Sequence, residues 1–175
     1  VNRNVDAAGI LNQSANGVNV AGPVTIYAAA MANSTAGNKA EIHAGGIYSA
    51  NGTVQLQDNA DVTTYVRPDS GGKFIAASLY AMDDGIINVG TDGTTSLGKV
   101  IKLSGDVIAN STNAVINVAL DQTDSYLQGN VKGNNGGVVN LVVGNGAVWK
   151  PVYDNRNGSF FNPEDSATFT KDYTV

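Results

Sequence analysis

The sequence predicts an all-β fold in which short parallel strands wind into a solenoid. Three observations predict it: the composition, a polar-centred strand motif that recurs along the chain, and a second strand motif that recurs between its copies. Hydrophobic residues make up 42% of the chain and charged residues only 14%, so uncharged polar residues must supply most of the hydrophilic surface. Asn, Asp and the 21 Gly favour turns over helix interiors. A helical protein is therefore disfavoured.

Charge and composition also exclude several kinds of partner and site. The net charge of −5, with only 10 scattered Lys and Arg, argues against nucleic acid or an anionic membrane surface as partner. The absence of Cys excludes disulfides, thiolate metal sites and cysteine nucleophiles. No apolar stretch is long enough to insert into a bilayer as a helix. Because the chain begins without Met and ends on strand-like TFTKDYTV, we expect it to be a segment of a longer protein.

The first repeat is a turn residue followed by an aliphatic residue, an amide and another aliphatic residue. Subtracting the positions of its central amides gives intervals of 36, 33, 29 and 23 residues for Asn19, Gln55, Asn88, Asn117 and Asn140. An antiparallel β-sandwich gives no reason for this recurrence, whereas a coil of short parallel strands needs about 20 residues per circuit and absorbs any excess in loops. The sandwich remains the alternative fold if the repeats are coincidental.

Alternation within the repeat predicts which side chains point outward. Placing Val139 and Leu141 inward puts Asn140 between them on the outer surface. The amides of successive coils would then hydrogen-bond to one another as a solvent-facing ladder. This arrangement would keep an exposed sheet face polar without adding charge.

The second repeat is Leu-x-Gly-x-Val. LSGDV (103–107) and LQGNV (127–131) have the same pattern, and Lys102 is expected to point outward between inward Ile101 and Leu103. Taken together, the motifs predict roughly six or seven coils in a single domain over residues 1–175. Residues 150–175 interrupt the pattern, which predicts a less regular coil, an end cover or a projecting loop.

The succession LSGDV, INVAL, LQGNV, GGVVNL and GNGAVW resembles the passenger domains of autotransporter (type V secreted) adhesins of Gram-negative bacteria. The resemblance is best over residues 97–149. It implies a right-handed parallel β-helix of the pectate-lyase-like kind, attached to the cell surface through a C-terminal outer-membrane barrel. It also implies a role in adhesion, aggregation or biofilm formation. The family has no shared catalytic motif, so the resemblance assigns no catalytic residue.

Acidic residues and one histidine are the candidates for chemistry. Three Asp pairs could serve a polysaccharide-degrading enzyme, which needs two carboxylates about 5 to 10 Å apart: Asp58 with Asp61, Asp83 with Asp84, and Asp121 with Asp124. Each pair sits beside turn residues, where Asp is favoured for capping backbone N–H groups. His43, the only histidine, is expected to be a strand or turn residue, and no Ser lies in a Gly-x-Ser-x-Gly setting.

Tyr65, Arg67, Asp69 and Lys73 are the candidate ligand-binding residues, because they share the longest loop-like insertion, YVRPDSGGK (65–73). Loops on a rigid scaffold are where binding residues concentrate. Exposed aromatic rings add contact area for sugars and proteins.

The sequence therefore predicts a surface-exposed, extracellular adhesin segment that binds without catalysis, cofactor or metal. Its expected partners are a protein or glycan of a host or bacterial surface, and other copies of itself. Weak contacts would be multiplied along the rod and across copies. A polysaccharide-degrading β-helix enzyme and a passive structural stalk are the alternatives.

Overall fold

β-strands and the turns and loops between them make up the described chain. The computed structural model describes residues 5–31, 42–67 and 74–151. The strands in these ranges are β1 (Val5–Asn12), β2 (Val18–Val20), β3 (Val24–Met31), β4 (Ile42–Leu56), β5 (Ala60–Arg67), β6 (Phe74–Val89), β7 (Ile101–Ser104), β8 (Asp106–Ala109), β9 (Val115–Leu120), β10 (Tyr126–Gln128), β11 (Val131–Gly133), β12 (Val138–Val143) and β13 (Val148–Lys150).

The strands pair only in parallel, and each pairs with the strand one circuit away along the chain. Three stacks result: face 1 contains β1, the first halves of β4 and β6, β8 and β11; face 2 contains β2, the second halves of β4 and β6, β9 and β12; face 3 contains β3, β5, β7, β10 and β13. The all-β parallel solenoid is confirmed. The antiparallel β-sandwich is wrong for the described residues, where the sole antiparallel pairing is an isolated bridge between Thr91 and Ser96.

The described strands make five coils: β1 to β3, β4 with β5, β6 with β7, β8 to β10, and β11 to β13. The prediction of six or seven coils applies to the whole chain, including segments outside the described ranges. The expected irregularity at 150–175 lies almost wholly outside them as well. In the described parts of the chain, no helix has the length and apolar character required to cross a bilayer.

Inward side chains of successive coils stack into columns that form one core. On face 3, Val62, Leu103 and Leu127 are fully buried in adjacent coils. Trp149 continues this column in the fifth coil, where its Nε1 donates to the Gly129 carbonyl at 3.0 Å. The predicted alternation of Ile101 and Leu103 inward with Lys102 outward is confirmed.

The amide ladder exists as a continuous chain of hydrogen bonds on face 2. Asn88 Nδ2 donates to Gln55 Oε1 at 3.0 Å, Asn117 Nδ2 to Asn88 Oδ1 at 2.8 Å, and Asn140 Nδ2 to Asn117 Oδ1 at 2.8 Å. Asn19 stands in register with Gln55 at the start of the same column. The coils therefore stack in the register that the spacing of the amides implied.

One rung of the ladder departs from the expected solvent exposure. Asn88 is only 6% exposed because the segment after β6 folds over it: Gly93 lies beside the Asn88 amide, and Gln55 Nε2 donates to the Thr91 carbonyl at 2.7 Å. The prediction that every central amide faces solvent is thus wrong at Asn88. Sequence alternation gives the direction of a side chain, whereas a loop from the same chain decides whether water reaches it.

The glycine of Leu-x-Gly-x-Val marks the corner between faces 3 and 1. A Cβ on Gly129 would lie 2.6 Å from the Gly105 carbonyl carbon and 3.0 Å from the Asp106 nitrogen of the coil before. The backbones of successive corners can therefore stack as closely as they do only if the residue at this corner has no side chain.

The Asn-Gly turns before and after β12 depend on residues that adopt a positive φ. Asn135 and Gly136 both have positive φ, as do Asn145 and Gly146. Each turn is closed by an i to i+3 hydrogen bond, from Gly137 N to Asn134 O at 2.9 Å and from Ala147 N to Gly144 O at 3.0 Å. Asn and Gly are favoured there because they tolerate a left-handed backbone.

Candidate functional site

The residues proposed from sequence as a binding loop fall into two groups. Tyr65 and Arg67 lie at the end of β5, so they are strand residues on face 3; Tyr65 is half-buried and in register with Ala29. Asp69 and Lys73 lie outside the described residues. A joint binding role for the four residues stays a prediction.

Asp83 and Asp84, one of the three candidate pairs of catalytic carboxylates, sit at the corner between faces 1 and 2. Asp83 has φ of 51°, and its carbonyl accepts the Ser111 hydroxyl at 2.9 Å. The Asp84 carboxylate accepts Asn113 Nδ2 at 2.7 Å. Both residues therefore tie this corner to the corner of the next coil, as expected for turn residues.

Asp58 and Asp121 are also engaged in turns. The backbone N–H of Asn59 donates to Asp58 Oδ1 at 2.8 Å, and Lys99 Nζ lies 3.2 Å from the same oxygen. These two contacts, the backbone bond first, lower the pKa of Asp58 below its usual value. Asp121 accepts a hydrogen bond from the Ser96 hydroxyl. These carboxylates link loops to coil ends.

A groove on the outer surface of face 1, in the second and third coils, is one of the concave sites that the described residues form. Its volume is about 190 Å³, and we name it the tyrosine groove after two of its lining residues. The lining residues are His43, Ala44, Gly45, Tyr48, Ile75, Ala77, Tyr80 and Met82.

Strand register explains the shape of the tyrosine groove. Gly45 pairs with Ala77, so the floor consists of two small residues in consecutive coils. Tyr48 pairs with Tyr80, and their rings stack with centroids 5.4 Å apart and planes within 7°. His43 is half-buried and lines the groove, which places the only histidine of the chain among aromatic and aliphatic side chains.

The phenol of Tyr80 is fixed in position by its neighbours. Asn110 Nδ2 donates to the Tyr80 hydroxyl oxygen at 2.8 Å. Burial raises the pKa of Tyr80 above 10, the Asn110 hydrogen bond lowers it, and the charge of Asp83 raises it. Tyr80 is therefore an uncharged phenol at neutral pH, with its oxygen held as an acceptor and its proton left for another partner.

Sequence reasoning missed this groove, although a signal for it exists. HAGGIY (43–48) and IAASLY (75–80) have similar residue types in the same order, and their tyrosines are 80 − 48 = 32 residues apart. That interval is close to the 33 residues between Gln55 and Asn88, which lie just downstream in the same two coils. Aligning the coils on their amides would have placed the two tyrosines side by side.

Comparisons with protein-family models, with curated proteins and with solved structures found no match to this chain. Among the described residues, no three His, Asp or Glu side chains come together in a way that could hold a metal ion. The site is therefore interpreted from its own geometry.

Proposed function

We propose that this chain is a segment of the surface-exposed passenger of a Gram-negative autotransporter adhesin, which binds host or bacterial surfaces without catalysis. The observation that supports this proposal best is the stacking of the motifs on which the resemblance rests. Leu103 lies over Leu127 and Asn117 over Asn140, each in consecutive coils. The two repeats thus form successive circuits of one rod. Attachment through an outer-membrane barrel elsewhere in the protein belongs to the same proposal.

The outer surface is suited to weak binding contacts that are repeated from coil to coil. The amide ladder presents uncharged hydrogen-bonding groups from coil to coil, and Val138 and Val142 beside it are 45% and 59% exposed. A rod that offers such faces in many copies gains avidity without a high-affinity site. This is the physical basis of the adhesin proposal.

Adhesion is testable with the purified chain coupled to beads at graded densities. We expect beads bearing the chain to be retained on epithelial or bacterial cells several-fold more than beads bearing the unfolded chain. Retention should rise more steeply than linearly with density, because several weak contacts act together. Retention no greater than that of control beads on both cell types would overturn the proposal.

The enzyme alternative makes a different measurement decisive. Incubating the chain with acidic and neutral polysaccharides and following polymer length should show no shortening. Shortened products that disappear with Asp83→Asn or Asp84→Asn would instead make those carboxylates catalytic.

Replacing residues 1–175 in the full-length protein by foreign coils of equal length tests the stalk alternative, which predicts that adhesion survives.

A further inference from the structure

We propose that the tyrosine groove is a binding site for one uncharged pyranose unit of a glycan. This inference rests on the proposed function, because it names the class of surface ligand that an adhesin of this kind would contact. It concerns residues of the second and third coils.

The size of the tyrosine groove limits the ligand to about one ring. A volume of 190 Å³ is equivalent to roughly six water molecules at about 30 Å³ each. Drug-sized ligands occupy pockets of about 300 to 1,000 Å³. A single six-membered ring with its substituents fits this limit, with neighbouring units of a polymer outside the groove.

The lining of the groove matches a sugar ring in chemistry. The stacked rings of Tyr48 and Tyr80, together with Ile75, offer an apolar wall to the C–H face of a pyranose. The Tyr80 phenol offers a hydrogen bond to a sugar hydroxyl, because its oxygen already accepts from Asn110 while its proton has no acceptor among the described residues. An apolar wall with a few fixed polar groups is the usual composition of a small-molecule site.

An extended peptide fits this site less well than a glycan. Peptides that bind in extended form add to a sheet edge, where free backbone groups provide hydrogen bonds. The tyrosine groove lies on a sheet face, where β4 and β6 already pair with each other and with the strands of the coils on either side. A pyranose needs no such edge, since its hydroxyl groups make its hydrogen bonds.

The groove does not continue as an open channel along the rod axis. Its floor residues Gly45 and Ala77 occupy consecutive coils and are both buried, and Asp106, the next residue in their column, is fully buried as well. A sugar unit would therefore enter the tyrosine groove from outside the rod, as the end or a side branch of a glycan.

Charge near the groove favours an uncharged ligand. The column continues from Ala77 to Asp106, which is fully buried and forms an ion pair with Lys132 at 3.1 Å. The two charges compensate each other, so the coil next to the groove adds no excess of either sign at this position. The nearby Asp83 would repel an acidic sugar.

Binding can be tested by NMR on the full chain with methyl glycosides of glucose, galactose, mannose and N-acetylglucosamine at up to 50 mM. We expect at least one glycoside to shift the aromatic signals of Tyr48 and Tyr80 in a saturable manner. Tyr80→Phe should weaken that binding about tenfold, because the ring stays while the hydroxyl donor is lost. If no glycoside shifts these signals, the proposal is wrong.

Gly45→Val fills the groove without forcing the backbone. A Cβ at Gly45 would meet only the Tyr48 Cβ at 3.7 Å and the Ala7 carbonyl at 3.9 Å, both ordinary contacts. We expect this variant to fold and to lose glycoside binding. Gly144→Val is the matched control, since nothing lies within 4 Å of a Cβ there, and it should bind normally. Undiminished binding by a folded Gly45→Val variant would overturn the proposal.

The two proposals fail in distinguishable ways. Beads that adhere to cells while no glycoside shifts Tyr48 or Tyr80 would retain the adhesin proposal and remove the pyranose site. Saturable binding in the groove with no retention on any cell would retain the pyranose site and remove the adhesin proposal.

Discussion

At the scale of single residues, the properties of polar groups in this protein are decided by neighbours from other coils. Tyr80 illustrates this, since its hydroxyl is held by Asn110, a residue 30 positions later in the sequence. Asp58 is another case, because its partner Lys99 lies in the segment between β6 and β7, 41 residues later in the sequence. Neither contact follows from a local motif.

The phenol of Tyr80 should titrate above pH 10. Burial raises the pKa in the folded state, so the unfolded chain loses this proton first. The contribution to stability is complete below pH 10 and is lost as the pH rises through the folded-state pKa. NMR titration of the Tyr80 ring should show it. Asn110→Ala should raise the pKa further, because it removes the hydrogen bond that lowers it; a pKa at or below 10 in the native chain would contradict the prediction.

Asp58 should titrate below its usual value of 3.8. Its folded-state pKa is lowered, so its contribution to stability is present above pH 3.8 and is lost as the pH falls through the folded-state pKa. Lys99→Gln should recover only part of the shift, because the Asn59 backbone hydrogen bond is the larger cause. Carboxyl NMR titration distinguishes the two contributions; full recovery in Lys99→Gln would show that the ion pair dominates instead.

At the scale of elements, each strand is held by its equivalents in the coils before and after it. Strands of only 3 residues, such as β10 and β11, occur in the described chain. Isolated strands of that length have little stability of their own, and they persist here because parallel pairing and buried columns continue through them.

Asn117→Ala should lower the free energy of unfolding by about 1 to 3 kcal/mol. Asn117 donates one ladder hydrogen bond and accepts another, and each is worth about 0.5 to 1.5 kcal/mol. Asn19→Ala is the matched control, because Asn19 is exposed in the same column without a ladder bond, and its cost should stay within about 0.5 kcal/mol. Urea denaturation measures both; equal costs would show that the ladder adds no stability.

Gly129→Ala should destabilise the protein more than a surface substitution does, by at least ~1 kcal/mol, because the new methyl group would meet the Gly105 backbone of the preceding coil. Gly144→Ala serves as control, since its Cβ would enter open space. Thermal unfolding of the two variants compares them directly. A Gly129→Ala variant as stable as its control would mean that the corners can separate at little cost.

At the scale of the whole molecule, the fold is nearly one-dimensional. Each coil contacts the coils on either side, because its strands pair in register with the strands one circuit away. Stability in such a stack is approximately a sum of coil terms and nearest-neighbour terms. The position of a residue along the rod therefore determines which other residues it affects.

Energetic coupling should consequently decay with coil separation. Leu103→Ala and Leu127→Ala change adjacent members of one buried column, and we expect them to couple by about 0.5 to 3 kcal/mol. Leu127→Ala combined with Ile26→Ala acts on the fourth and first coils, three steps or about 14 Å apart, and should be additive within about 0.5 kcal/mol. Double-mutant cycles in urea measure both pairs. Equal coupling would contradict the one-dimensional description.

The amount that sequence could predict differed between the scaffold and the site. The five central amides and the paired Leu-x-Gly-x-Val motifs predicted strands, coil register and inward columns, and these are confirmed. The structural setting of the candidate binding residues was harder to predict from sequence: Tyr65 and Arg67 belong to a strand rather than a loop. The tyrosine groove was missed, since its two tyrosines lie in different coils, 32 residues apart, and the similarity of HAGGIY (43–48) to IAASLY (75–80) becomes apparent only when the coils are aligned on their amides.

The sequence by itself determined the fold, because the period of a solenoid is recorded in the chain as repeated residue types. Alternation specifies inward and outward sides, and glycines and Asn-Gly pairs specify corners. The tertiary structure decided which surfaces are open. Stacking brought Tyr48 beside Tyr80 over a floor of Gly45 and Ala77, and the loop after β6 buried Asn88. Exposure and concavity depend on neighbours that are distant in sequence, and a local pattern does not specify them.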